Sequence, residues 1–119
     1  MTSTEKQNME LMQTLDDAWN GQDLDTFAKR HKTDTIVRWP GQSPTHGVET
    51  HKREALDFFR AFPNQHIDNR PYKVLIASGD WTCSIARFTG TMTGPMKGPN
   101  GKDIPPTGKS FEVDFCTVA

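Results

Sequence analysis

The sequence predicts an α+β protein in which helices come first and antiparallel strands follow. In the first half of the chain, apolar residues recur at three- and four-residue spacing up to about Phe62. After His66 the segments are rich in β-branched and aromatic residues and are separated by turn residues. Helices followed by antiparallel strands are the pattern of the α+β class.

Three helices are predicted in the first half. The first spans about Thr4 to Asn20 and is capped by Thr4 or Ser3; one apolar stripe runs along it, made of Met9, Met12, Leu15 and Trp19. Asp23 caps a short second helix from Leu24 to about Arg30. The third helix spans about Val48 to Phe62, where Pro63 follows.

Three strands are predicted before the long loop. The first is short, from Asp34 to Trp39. The second runs from His66 to Ala77, and Pro71 within it indicates an edge strand or a bulge. Ser78-Gly79-Asp80 then makes a tight turn into the third, Trp81 to Thr91, so these two strands form a hairpin.

The end of the chain is a long loop followed by a strand. Thr93 to Lys109 is rich in glycine and proline, and we interpret it as a mobile lid or a hairpin excursion. Phe111 to Ala119 reads as a strand that stops without a turn. We therefore expect the last strand of the sheet to be missing or truncated.

A chain of 119 residues predicts a single domain, residues 1–119, with one core. A bent antiparallel sheet whose concave face is closed by the helices buries the apolar residues and leaves a cavity between them. The aromatic residues that would line this cavity are Trp19, Phe27, Trp39, Phe58, Phe59, Trp81, Phe88, Phe111 and Phe115.

Composition argues against several function classes. The net charge is −1 with both signs interspersed, so neither nucleic-acid binding nor a membrane surface is indicated. No apolar run approaches the roughly 18 residues of a membrane span, and the N-terminus lacks the pattern of a signal peptide. We expect a cytoplasmic protein. Cys83 and Cys116 are expected to be buried free thiols, and no metal-binding spacing is present.

Four segments, in this order, carry a resemblance to a known family. They are DDAWNGQDLD (Asp16 to Asp25), THG (Thr45 to Gly47), ARFTGTMTG (Ala86 to Gly94) and IPPTGKSFEV (Ile104 to Val113). Together they make the whole chain resemble the SnoaL-like polyketide cyclases, which belong to the nuclear-transport-factor-2-like superfamily of cone-shaped α+β folds.

The resemblance implies a pocket that needs neither a cofactor nor a metal. In the family, polyketide rings close by an aldol step with a pocket Asp as general acid/base, and that Asp lies on a strand beyond Ala119. A pocket His of the cyclases aligns with Thr117. A second family His falls within the string from Gly90 to Gly94, which here contains none.

Alternation along the last strand separates two candidate catalytic residues. Thr117 shares a face with Phe111, Val113 and Phe115, so its hydroxyl faces the pocket if that face is concave. Asp114 lies on the opposite face; it is a possible acid/base if its surroundings raise its pKa, or else a solvated carboxylate.

The remaining candidates are ligand-binding residues. Arg87 lies within an uncharged strand and either anchors a ligand or pairs with a neighbouring acid such as Glu112. Trp39, Phe115, Phe59 and Trp19 are expected to offer apolar surface to an aromatic ligand, and for Trp39 a core role is equally open. His51, on the third helix, reads as a core or rim residue.

These observations predict a SnoaL-like enzyme that performs cofactor-free acid/base chemistry on an apolar, carbonyl-bearing small molecule. Cyclase, isomerase and hydrolase reactions all fit. The alternative is a ligand-binding or dimerisation module of the same fold without chemistry. We also expect a homodimer, because apolar surface and a strand edge would otherwise be exposed. A monomer in sedimentation at micromolar concentration would contradict this.

Overall fold

In the computed structural model, residues 1–98 and 100–119 are described, and they form three helices and eight strands. The helices are α1 (Ser3–Asn20), α2 (Leu24–Lys29) and α3 (Val48–Ala61). The strands are β1 (Ile36–Val37), β2 (Thr45–His46), β3 (His66–Asp68), β4 (Val74–Ser78), β5 (Trp81–Thr91), β6 (Met96–Lys97), β7 (Asp103–Ile104) and β8 (Ser110–Val118). The α+β prediction with three helices and an antiparallel sheet is confirmed.

Helix α1 begins with a capping box, one residue earlier than the sequence suggested. The Thr2 hydroxyl accepts a hydrogen bond from the backbone N–H of Glu5, and the Glu5 carboxylate accepts one from the backbone N–H of Thr2. Only Thr2 has an acidic residue three positions later among the possible caps, so it satisfies two free N–H groups at once.

Strand β5 is the centre of the main sheet. Strands β3 and β4 pair with one of its edges and β8 with the other, all antiparallel. We call the sheet face that packs on the helices the inner face; Ser84, Ala86 and Phe88 of β5 lie on it and are buried. Trp19 of α1 and Phe58 of α3 pack against this face.

The opposite, outer face of the sheet is exposed. It carries apolar side chains that are more than half exposed, namely Ile76, Trp81 and Val118. The inner face therefore makes the core together with the helices, while the outer face has no cover within the described residues.

The segment from His66 to Ala77 forms two strands rather than one. Between them Asn69 is buried and donates from its amide to the Gln13 carbonyl and to Asp17 of α1. Arg70 forms an ion pair with Asp17. Pro71 has no N–H for a sheet ladder, and these contacts pull the chain towards α1, so the strand is interrupted.

One further prediction on strands is corrected, and the hairpin interpretation of the long loop agrees with the structure. The first strand is only Ile36–Val37, and it pairs with β2, which was not predicted. The long loop contains the hairpin of β6 and β7 in its described part, and the N–H of Gly94 donates to Ala61 at the end of α3. A Cβ on Gly94 would lie 1.9 Å from the Arg60 carbonyl oxygen, so this close approach requires glycine.

In the described residues no helix combines the length and the apolar character needed to cross a membrane.

Candidate functional site

Phe115 and Thr117 lie on the inner face of β8, as the alternation predicts. In the strand register Phe115 faces Ala86 and Thr117 faces Ser84, and both partners on β5 are buried. Phe115 and Thr117 themselves are half-buried. Their side chains are therefore placed where a ligand at the edge of β8 could touch them.

Trp39 lies just after β1, and its ring packs between Phe115 of β8 and His51 of α3. Its ring centroid lies 6.3 Å from that of Phe115 and 6.3 Å from that of His51. The indole is half-buried, so it forms a wall with an accessible part. An apolar wall of this kind suits a flat ligand.

Trp19 and Phe59 lie deeper, within the core. Their ring centroids are 4.7 Å apart in an edge-to-face arrangement, and Phe59 is 4% exposed. The Trp19 ring also contacts Phe88, which in turn contacts Phe115. These core residues therefore pack beneath Phe115 on the inner face of the sheet and support it. The Trp19 Nε1 atom is buried and has no hydrogen-bond partner among the described residues.

Arg87 and Asp114 lie on the outer face, and the prediction that Arg87 lines the pocket is thereby corrected. Arg87 pairs with Glu112 through Nη1 and Oε1 at 2.8 Å. Asp114 accepts a hydrogen bond from Lys73 at 2.7 Å, and this bond lowers the pKa of the carboxyl. Strand alternation places both on the exposed side, where water solvates the charges. Asp114 therefore has the character of an ionised surface carboxylate.

A cluster of polar side chains forms at the start of α3, next to Trp39. His51 Nδ1 lies 3.3 Å from Oε1 of Glu54, and the Thr45 hydroxyl donates to Oε2 of Glu54 at 2.8 Å. The ring of His31 lies with its centroid 5.1 Å from that of His51. We call Thr45, His31, His51 and Glu54 the histidine cluster. It joins residues from β2, from the segment just after α2 and from α3.

His51 is 6% exposed, and its surroundings favour a neutral ring. Burial has the largest effect and lowers the pKa of the imidazole; the hydrogen bond with Glu54 raises it in part, and His31 lowers it further. An ionised Glu54 can only accept, so the hydrogen of the neutral ring lies on Nδ1. Nε2 then carries the lone pair that a general base requires.

His31 is held in the same manner by the backbone. Its Nδ1 lies 2.7 Å from the carbonyl oxygen of Phe27, which can only accept. The Phe27 ring packs against both imidazoles, with centroids at 4.7 Å and 5.1 Å. The imidazoles of His31 and His51 and the carboxyl group of Glu54 therefore lie close together beside the Trp39 ring.

This cluster was not predicted, although the sequence contains a signal for one part of it. His51 and Glu54 are three residues apart on a helix, a spacing at which side chains meet. We interpreted His51 as a core or rim residue because periodicity reports burial and not partners. His31 lies outside the three helices, and only folding brings it to α3.

Two open grooves lie near these elements. One of about 230 Å³ runs along α3 and is lined by Glu54, Asp57, Phe58, Ala61, Met96 and Lys97. A larger one of about 390 Å³ lies between the start of β8 and Asn64, where the Thr91 hydroxyl hydrogen-bonds to both Asn64 and Ser110. The smaller groove is the better candidate for a ligand, because it shares Glu54 with the histidine cluster.

Among residues 1–98 and 100–119, no three His, Cys, Asp or Glu side chains come together as a metal site.

A second buried polar contact joins α1 to the segment before β4. The Tyr72 hydroxyl donates to Oδ2 of Asp16 at 2.5 Å, and both residues are less than a tenth exposed. Burial raises the pKa of Asp16 to about 6, although the bond from Tyr72 partly opposes this. Burial also raises the pKa of Tyr72. This pair lies apart from the histidine cluster, and its contacts are those of a structural link.

Solved structures with the same fold come from several bacteria. A candidate SnoaL-like polyketide cyclase from Jannaschia sp. CCS1 superposes with a TM-score of 0.84 at 24% identity, over 99% of this chain and 78% of that one. IdmH, a candidate polyketide cyclase from Streptomyces antibioticus, gives a TM-score of 0.68 at 19% identity, covering 92% and 78%. AclR, a candidate hydroxylase from Streptomyces galilaeus, gives 0.71 at 20%, covering 96% and 65%.

At these identities the structural likeness establishes the fold alone. A search of curated proteins finds no match to this chain. The family model of the SnoaL-like polyketide cyclases, however, matches residues 9–119, nearly the whole sequence. The resemblance seen in the four sequence segments is thereby confirmed, and the chain belongs to the SnoaL-like polyketide cyclase family.

Proposed function

We propose that this protein is an enzyme that moves a proton within an apolar, carbonyl-bearing small molecule, with His51 as the general base. The observation that carries the proposal is the hydrogen bond between buried His51 and Glu54 beside Trp39. A neutral imidazole whose Nδ1–H is held by a carboxylate has its Nε2 lone pair free for a substrate proton.

The reaction begins at a carbon next to the carbonyl group. His51 Nε2 removes a proton from that carbon, and an enolate forms while the ring becomes an imidazolium. Glu54 stabilises the imidazolium through Nδ1–H, and the Thr45 hydroxyl keeps the carboxylate in place. This is the arrangement of a base oriented by a carboxylate that recurs in unrelated enzymes.

The apolar residues and Thr117 complete the proposed site. Trp39 and Phe115 contact each other and present apolar surface to the substrate. Thr117 follows Phe115 on the same face of β8, and its hydroxyl is the proposed donor to the enolate oxygen. The groove along α3 reaches Glu54 and has room for part of a small molecule.

The family and its named relatives support the choice of reaction. Ring closure of a polyketide by an aldol step starts with the same removal of a proton next to a carbonyl. Cyclases appear among the structural neighbours, as does a candidate hydroxylase. The proposal therefore specifies the first proton transfer and leaves the fate of the enolate to the substrate.

The test is the exchange of acidic C–H hydrogens for deuterium in 2-tetralone, followed by NMR in D₂O. We expect the wild-type protein to accelerate the exchange, and His51→Gln to lose about 100-fold or more of the acceleration. Thermal unfolding of the variant checks that it remains folded. Acceleration that survives in His51→Gln would overturn the assignment of the base.

The alternative is a ligand-binding or dimerisation module. The exposed Ile76, Trp81 and Val118 on the outer face favour it, since a second copy of the chain would cover them. Saturable binding of 2-tetralone without any acceleration of exchange would select this alternative. The homodimer is compatible with both functions.

A further inference from the structure

The two cysteines lie next to each other on the outer face of the sheet. The Sγ atoms of Cys83 on β5 and Cys116 on β8 are 3.8 Å apart, and both thiols are free. Cys116 is exposed and Cys83 is half-buried. The prediction of free thiols is confirmed, and the prediction that they are buried is wrong for both, because both lie on the uncovered face.

The strand register explains why the two thiols meet. Cys83 lies opposite Val118, and Cys116 lies opposite Ile85. The two cysteines are therefore diagonal neighbours on one face of two paired antiparallel strands. The two thiols approach each other across this diagonal, with the sulfur atoms 3.8 Å apart. A disulfide needs the sulfur atoms at about 2.05 Å and the Cα atoms no more than about 7 Å apart, so its formation requires rotation of both side chains and a small approach of the two strands.

We propose that Cys83 and Cys116 form a dithiol site that is converted to an intramolecular disulfide by exchange with a small disulfide such as oxidised glutathione. The thiolate of exposed Cys116 attacks one sulfur of the small disulfide, forming a mixed disulfide and releasing one small thiol. The Cys83 thiolate then attacks Sγ of Cys116 and releases the second small thiol. Two electrons pass to the small disulfide, and the two protein protons end on the two released thiols.

The bond formed here is easily reduced. Diagonal neighbours have Cα atoms about 7 to 8 Å apart, whereas disulfides usually have about 4.4 to 6.8 Å. The bond is therefore strained, and its exposed sulfur of Cys116 is open to attack by a thiol. Strained and exposed disulfides are the labile ones.

The disulfide would connect the central strand to β8, behind the inner-face residues Phe115 and Thr117. It closes a loop that includes the whole segment between β5 and β8. This inference does not depend on the proposed function, and it requires that a second copy of the chain leaves Cys116 on the outer face uncovered.

The test incubates the folded, reduced protein with oxidised glutathione and measures the intact mass without reductant. We expect the mass to fall by two hydrogen atoms with no glutathione attached, and a non-reducing digest to contain a peptide linking Cys83 to Cys116. Cys83→Ser provides the matched control and should retain glutathione on Cys116. A low concentration of dithiothreitol should restore the starting mass.

Three outcomes would overturn the proposal. Stable glutathionylation of the wild-type protein would mean that Cys83 does not reach Cys116. A disulfide between two chains would show that the thiols react with another copy. No reaction in the folded state, with both thiols reactive in urea, would show that neither is accessible.

Discussion

The ionisable side chains of the outer sheet face differ from those of the histidine cluster and α1 in their burial. On the outer face, the side chains of Arg87 and Asp114 are 53% and 57% exposed. His51 is 6% exposed and Asp16 is 9% exposed. The pKa of Asp114 is lowered by Lys73, whereas the pKa of Asp16 is raised by burial.

A charged residue within a strand is therefore a poor guide to chemistry. Asp114 attracts attention in the sequence because it is the only Asp in its strand, yet it is exposed and paired with Lys73, which lowers the pKa of its carboxyl. The pKa of His51, on a helix, is lowered chiefly because the fold removes the ring from water.

The largest difference is expected in proton exchange. Glu54→Gln removes the carboxylate that holds the His51 ring, and we expect a loss on the order of 100-fold in the acceleration of 2-tetralone exchange. The acid limb of the pH profile should also move to lower pH, because Glu54 raises the pKa of His51. Asp114→Asn should stay within about twofold, since this exposed carboxylate does not face the site. If Glu54→Gln and Asp114→Asn lost the acceleration of exchange equally, the histidine cluster would not differ from the outer face in its effect on catalysis.

The next difference concerns stability as a function of pH. The folded pKa of Asp16 is about 6 against an ordinary value of 3.8, so the folded state binds this proton more tightly than the unfolded chain. The stabilisation from Asp16 is present below its unfolded pKa and is lost as the pH rises through about 6, by up to about 3 kcal/mol.

Urea titrations of the wild type and Asp16→Asn between pH 4 and pH 7 measure this contribution. The wild type should lose free energy of unfolding relative to the variant as the pH rises, because Asn does not titrate. If the difference in free energy of unfolding between the wild type and Asp16→Asn stays constant with pH, Asp16 has an ordinary pKa.

The smallest difference compares two single contacts by their effect on stability. Tyr72→Phe removes the hydroxyl that donates to buried Asp16, and we expect a cost of about 1 to 3 kcal/mol. Lys73→Met removes the exposed partner of Asp114 and should cost less than about 1 kcal/mol. Urea unfolding at pH 7 measures both. A larger cost for Lys73→Met would mean that the outer face is more shielded from water than its exposure indicates.

Local pattern was sufficient for most of the fold. The helix ends near Asn20 and Ala61 follow from periodicity and breaker residues, which depend on a few neighbours along the chain. The faces of Thr117 and Asp114 follow from strand alternation, which is geometric. The break at Pro71 could be suspected, but its cause is a set of contacts to α1 that no local pattern contains.

The four family segments, periodicity and strand alternation are enough to predict the fold class, the family and the opposite orientation of Thr117 and Asp114. The folded chain adds the contact of His31 with His51, the pairing of Arg87 with Glu112 on the outer face, and the contact of Cys83 with Cys116. Periodicity encodes which side of an element is buried, whereas these contacts depend on the register and packing of elements far apart in the chain. Burial, pKa and reactivity follow from these contacts, so the histidine cluster could be recognised only in the folded molecule.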